Sequence, residues 1–151
     1  TIATLALYPT LWESAMVFQI KRMGYNEHRW LDSGDVPNVQ FLASVCEIAR
    51  QTQDVMHWLP TREVKTLLAF IKQYGADHIP SNLNIRVSAP MVNDKPLSAF
   101  DNVPQITTST VHDKHNAPQG HSCPARNQGN ACGDCRACWN SKVANVSYPI
   151  H

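Results

Sequence analysis

The sequence predicts an α/β fold: a parallel sheet built of βαβ units, a partial barrel of the TIM type, followed by an irregular cysteine-rich metal-binding C-terminal segment. Three observations predict it. Over residues 1–100, apolar stripes at helical spacing alternate with short β-branched and aromatic runs. Strands separated by single helices of this length favour parallel pairing, since the crossover returns the chain to the same edge. After about Pro90 the composition shifts to Pro, Asn, Asp, Ser, Thr, Gln and Gly without sustained periodicity, the mark of a long irregular segment. Four of the five cysteines then crowd into "CPARNQGNACGDCRACW", residues 123–139.

Each element follows in order. Thr10 and Glu13 form a Thr-x-x-Glu capping box, so the first helix is expected near Thr10. Trp12, Met16, Ile20 and Met23 recur along its face, and Gly24 stops it. "HRWLDSGDV" reads as a short strand entering a polar turn. Asp35 is placed as the cap of the next helix, whose buried face carries Val39, Leu42, Val45, Cys46 and Ala49. "DVMHWLPT" reads as a second strand, and Thr61 as the cap of a third helix that Gly75 ends. "NLNIRVSAP" reads as a third strand. The organisation expected is an α/β domain over 1–100 with an irregular cysteine-rich metal-binding tail, 101–151, packed on it.

Composition bounds the function. The chain has 151 residues, 43% of them hydrophobic, enough for one domain with a core. A formal net charge of +1 argues against a global field for nucleic acid. No apolar run approaches the roughly 20 residues of a membrane helix, and no secretory signal pattern opens the sequence.

Cys123, Cys132, Cys135 and Cys138 are spaced Cys-x8-Cys-x2-Cys-x2-Cys. Closely spaced thiolates can converge on one ion, and Gly133 lets the backbone bend around it. A metal would supply the cross-link that this polar, glycine-containing stretch cannot obtain from a core. A disulfide framework is the rival, but it predicts a secreted chain with dispersed cysteines. Four-thiolate zinc fits the Cys-x2-Cys pairs. The consecutive Cys-x2-Cys-x2-Cys run is also used by iron–sulfur proteins and tips the expectation toward a [4Fe-4S] cluster over Zn2+. His115 and His121 lie close enough in sequence to replace a thiolate, although solvated histidines are commoner. Cys46, on an apolar helix face, reads as a small buried hydrophobe. Trp139 is expected to shield the metal from water.

Ligands of parallel α/β sheets bind outside the carboxyl ends of the strands. That rule places Asp32, Ser33, Arg62 and Ser88 on one rim. Asp32 could act as a base or bind ribose hydroxyls, and Arg62 could clamp a phosphate or carboxylate. The plainer reading is that such residues serve turns and helix starts. His57, if it faces the covered side of the sheet, is a satisfied core histidine. Trp12, Trp30 and Trp58 read as core.

"RWLDSGDV", "EIARQTQDVMHWLPTREV", "NLNIRVSAPMV" and the terminal cysteine segment together resemble the bacteriophage gene product eighty-eight-like family. The resemblance covers most of the chain from Trp12 onward. It implies a phage protein acting in the cytoplasm of an infected bacterial host, and it carries no reaction with it. It also implies a cysteine stretch upstream ending in Cys-Tyr-Ala, and this sequence has no cysteine before Cys46. A truncated relative, a fragment, and a subunit that completes its sheet as a homo-oligomer or larger assembly all remain open.

Two broader similarities point to enzymes. Partial barrels with cysteine-held clusters resemble radical S-adenosylmethionine enzymes, but the Cys-x3-Cys-x2-Cys signature is absent. "DSGD" beside a cysteine metal site resembles guanine transglycosylases, whose motif is Asp-Ser-Gly-Gly and whose zinc spacing differs. Two functions are carried forward. One is an enzyme on a nucleotide or nucleic-acid base, with Asp32, Ser33 and Arg62 at the substrate and the four cysteines on the metal. The other is a non-catalytic protein whose metal-stabilised tail binds a host or phage macromolecule through residues 91–131.

Overall fold

The computed structural model describes residues 2–150, with side chains described from Thr4 onward. Its centre is a six-stranded sheet curled into a half-barrel, in which every neighbouring pair of strands is parallel. The strands are β1 (Glu27–Arg29), β2 (Met56–Thr61), β3 (Leu83–Ser88), β4 (Ile106–His112), β5 (His121–Ser122) and β6 (Asn145–Pro149). Their order is β1-β2-β3-β4-β6-β5, so the last strand inserts between β4 and β5. Four α-helices precede or connect the first three strands: α1 (Ile2–Leu7), α2 (Pro9–Met23), α3 (Val39–Gln51) and α4 (Val64–Tyr74).

Strand alternation divides the sheet into two unlike faces. On β3, Leu83, Ile85 and Val87 are fully buried and join Leu42 and Val45 of α3 and Leu67 and Phe70 of α4 in the main core. Between them Asn84, Arg86 and Ser88 face the opposite, concave side. Asn84 and Arg86 are each 1% exposed although polar, because the chain between β5 and β6 folds across that side.

The segment 101–151 therefore differs from the irregular tail expected: β4, β5 and β6 lie within it and make half of the sheet. Its strands escape a periodicity reading because their concave-facing residues are buried and polar. Thr107 donates to the Asn84 side chain at 2.9 Å, and Ser109 pairs with Ser88 at 2.9 Å. Such strands show neither an apolar run nor clean apolar–polar alternation.

Three helix starts also move. Pro9 opens α2 one residue before Thr10, and Tyr8 caps it without a side-chain bond. Glu13 accepts instead from the Ser44 hydroxyl at 2.7 Å, joining α2 to α3. The cap of α3 is Asn38, whose side-chain oxygen accepts the Phe41 N–H at 2.9 Å. α4 begins after Glu63, and the Thr61 hydroxyl accepts the Glu63 N–H at 3.0 Å. Gly24 ends α2 as expected, in the left-handed conformation (φ 69°) that a side chain disfavours.

His57 is the satisfied core histidine that its strand position allows. Trp30 Nε1–H donates to His57 Nδ1 at 3.1 Å, and His57 Nε2 lies 2.8 Å from the Thr52 hydroxyl. That hydroxyl donates to the Ile48 carbonyl at 2.7 Å, so the Nε2–H tautomer completes the chain of bonds. Burial, helped by nearby His28, lowers the His57 pKa to about 3. Cys46 is fully buried on α3, and burial pushes its thiol up to about 12, so it stays neutral.

The sign of the histidine effect fixes a prediction. The unfolded chain binds the imidazole proton near pH 6.5 and the folded chain does not until about 3. Stability conferred by this group is present above pH 6.5 and falls as pH drops through that window, by up to about 1.4 kcal/mol per pH unit. Urea unfolding at pH 7 and pH 5 should show a steeper acid loss for wild type than for His57→Gln, which is less stable at pH 7.

Candidate metal centre and strand-end cavity

The connection from β5 to β6 carries all four clustered cysteines. Arg86 and Asn84 tie it to the sheet. The Arg86 guanidinium donates to the carbonyls of Thr108 (2.7 Å), Ala137 (3.0 Å), Val143 (3.1 Å) and Asn140 (3.3 Å). Asn84 Nδ2 donates to the Cys138 carbonyl at 2.8 Å. At the β1 edge, Arg136 pairs with Glu27 at 3.0 Å, and Trp139 Nε1 donates to the His28 carbonyl at 3.1 Å. Trp139 meets Trp58 edge to face, with centroids 5.2 Å apart. Gly133 takes the left-handed conformation (φ 55°) at the bend between Cys132 and Cys135.

All five cysteines are free thiols in this structure. Cys123, Cys132, Cys135 and Cys138 line one small pocket of about 10 Å³, together with His121 and Trp139. His121 Nε2 lies 3.5 Å from Cys135 Sγ. His115 sits elsewhere, beside His112 and Asp113, and does not line this pocket. Trp139 lines the same pocket. Among the described residues, no three His, Cys, Asp or Glu side chains stand in ready ligand geometry, so a metal-binding segment is not shown.

Cys138 is the most enclosed of the four clustered thiols. Its sulfur lies 3.1 Å from the Tyr148 hydroxyl. Burial raises its pKa, the Tyr148 bond and Arg86 lower it, and Cys123 and Cys132 raise it again. Among the described residues Arg86 has no carboxylate partner, and its Nε is buried without an acceptor. Burial lowers its pKa, and the charges that support its protonated form are those of Cys138 and Tyr148. A thiolate centre would give this cation the counter-charge that a buried guanidinium needs.

On the other side of the same thiols lies a larger cavity of about 490 Å³, at the carboxyl ends of the strands. Arg29 of β1, Trp58 and Pro60 of β2, Arg86 and Ser88 of β3 and Ser109 of β4 contribute to it from the sheet. Cys123, Cys132, Cys138 and Arg126 contribute from the cysteine connection, and Tyr148 from β6. Arg29 stacks its guanidinium 4.8 Å from the Trp58 ring centre. Trp58 is buried, as expected, but against the cysteine connection and this cavity rather than in the main core.

The residues expected on the strand-end rim do come together. Asp32, Ser33, Arg62 and Ser88 line a depression that shares Arg29, Pro60 and Ser88 with the larger cavity. Asp32 is open to solvent, with Arg29 at 3.9 Å. The preceding Leu31 holds a left-handed backbone (φ 58°), an uncommon conformation for leucine. The neighbouring carboxylate, Asp35, is the structural one. It accepts the Thr61 hydroxyl at 2.6 Å and the N–H groups of Val36 and Arg62 at 2.7 and 2.9 Å, locking the loop after β1 to the end of β2.

Sequence reading missed Arg29, Arg86 and Arg126. The signal for Arg86 was the alternation in "LNIRVS", where every second residue is polar and its neighbours are aliphatic. Arg29 and Arg126 carry no such pattern, since the chain approaches the cavity from β1 and from a 3-10 turn at residues 125–127.

Replacing Arg86 should uncouple the cysteine connection from the sheet. Arg86→Met leaves buried carbonyls without donors, at a cost of about 3 kcal/mol by urea unfolding. Limited proteolysis should then cut first within residues 123–144. Arg86→Lys, with the charge but without the planar fork, should recover only part of the loss.

A family model described as Gene product 88 matches residues 4–141, a span that includes the loop after β1, Arg86 and all four clustered cysteines. No curated protein and no solved structure matches the chain. Among the described residues, no helix is long and apolar enough to cross a membrane. The match runs over most of the chain and agrees with the motifs that suggested a phage family, so the protein belongs to the Gene product 88 family.

Proposed function

We propose that this phage-family protein is a metal-dependent enzyme that acts on a nucleotide or nucleic-acid base in the strand-end cavity. The four cysteines hold the metal at the cavity wall. One observation carries the reading: Cys123, Cys132 and Cys138 line both the small thiol pocket and the 490 Å³ cavity. An ion in the first would stand at the edge of the second. The depression lined by Asp32, Ser33 and Arg62 adjoins that cavity through Ser88, where a base and an anion clamp would serve a bound substrate.

Either a Zn2+ ion or a [4Fe-4S] cluster is compatible with four clustered thiolates of this spacing. A second reading has its own support. The cysteine connection is already held by Arg86, Asn84 and Trp139, so a metal there could serve folding alone, in a protein that binds a host or phage macromolecule.

Metal analysis of anaerobically purified protein separates these readings. The expected result is about one equivalent of metal, lost in Cys132→Ser/Cys135→Ser and retained in Cys46→Ser. A brown sample with visible absorbance identifies an iron–sulfur cluster, and a colourless sample with zinc a single-ion site. Protein that carries no metal under these conditions, and takes up neither zinc nor iron, overturns the metal reading. Asp32→Ala and Arg62→Ala should leave metal content unchanged and abolish turnover of the nucleotide or base; unchanged turnover removes both residues from the site.

A further inference from the structure

The large cavity is positively charged beyond what a metal–thiolate centre explains. Arg29, Arg86 and Arg126 line it, and no Asp or Glu is among its lining residues. Arg86 is committed to main-chain carbonyls and lies beside Cys138. Arg29 and Arg126 are different. Both are exposed, and they reach the cavity from opposite structural units, the β1 end and the cysteine connection. Among the described residues Arg29 has one carboxylate partner, the solvent-exposed Asp32 at the long distance of 3.9 Å, and it stacks on Trp58. Arg126 donates to the Ile150 carbonyl and has no carboxylate partner among the described residues.

The rest of the wall suits a flat, mostly apolar body. Trp58, Tyr148, Pro60 and Pro149 contribute to it, and the paired hydroxyls of Ser88 and Ser109 supply a hydrogen-bonding edge. Trp58 is 7% exposed, and its Nε1–H has no acceptor among the described residues. A buried donor without an acceptor beside a cavity is a common sign of a missing ligand atom or a small adjustment on binding. The volume of about 490 Å³ falls within the range of about 300–1,000 Å³ for small-molecule sites.

We infer that this cavity binds a mononucleotide, with its phosphate between Arg29 and Arg126 and its base against Trp58 and Tyr148. Guanidinium groups recognise phosphate through paired N–H donors, and an aromatic wall accepts a base face. The inference rests on the reading of the strand-end cavity as the substrate site, but it does not require the metal.

Isothermal titration of the full chain with each common ribo- and deoxyribonucleoside 5′-monophosphate, and with the matching nucleosides, tests it. At least one monophosphate should bind in the micromolar range, ten-fold or more tighter than its nucleoside. Arg29→Gln/Arg126→Gln should bring the monophosphate down to the nucleoside's affinity and leave nucleoside binding unchanged. Lys65→Gln, at an exposed position of α4, should change neither. Circular dichroism confirms that these surface variants keep the fold. Equal affinity for nucleoside and monophosphate overturns the inference, as does an unaffected double variant or the absence of binding by any monophosphate. Metal content measured on the same samples separates the two readings. Nucleotide binding by metal-free protein sustains this inference while removing the metal centre. A loaded metal without nucleotide binding does the reverse.

Discussion

The Arg86 guanidinium is the contact on which the concave side depends. It is 1% exposed, it lies without a carboxylate, and it donates to four carbonyls, three of them in the cysteine connection. A stretch rich in glycine, asparagine and short polar side chains has little apolar surface with which to hold itself against a sheet. A planar cation with several donors can gather its main chain instead, because carbonyl oxygens converge on it from several directions. The bonds to β4 and to residues 137–143 therefore fix where the last two clustered cysteines sit. With Arg86 in place, the cysteine connection forms one wall of the cavity and the strand ends the other.

The same arrangement makes the half-barrel two-sided in its chemistry. The convex face is a conventional core of aliphatic strand residues against α3 and α4. The concave face is polar and buried, held by Asn84, Thr107, Ser88 and Ser109, with a small apolar group around Trp58, Cys138 and Val146. Buried polar faces are stable only when their donors and acceptors are matched, and here side chains of adjacent strands match one another. Among the described residues, the two buried donors that lack partners, on Arg86 and Trp58, belong to side chains that line the cavity.

The strand-end rule was a sound guide to location. It brought Asp32, Ser33, Arg62 and Ser88 to one depression from three separate stretches of sequence, and the structure places them there. It also left Asp35 to a structural role, although not with the partners expected. Asp35 reads as a helix cap in sequence, yet it bridges the β1 loop to the end of β2, a contact with Thr61 and Arg62 that no local pattern encodes. His57 could be read conditionally, because its role depended only on which face it took. Arg29 and Arg126 were hidden because each enters the cavity from a different element.

Local patterns in the sequence specify α2, α3 and α4, the strands β1–β3 with their parallel pairing, the ends of two helices at Gly24 and Gly75, and the crowding of four thiols into one short stretch. These follow from periodicity, backbone chemistry and spacing, which are properties of neighbouring residues. Tertiary structure alone decided that the second half supplies three more strands, that a buried arginine gathers the cysteine connection, and that the thiols face a cavity. Those outcomes come from polar groups satisfied by partners far along the chain. Asn84 is 54 residues from Cys138 and Arg86 is 57 from Val143, and a one-dimensional pattern does not record which donor meets which carbonyl.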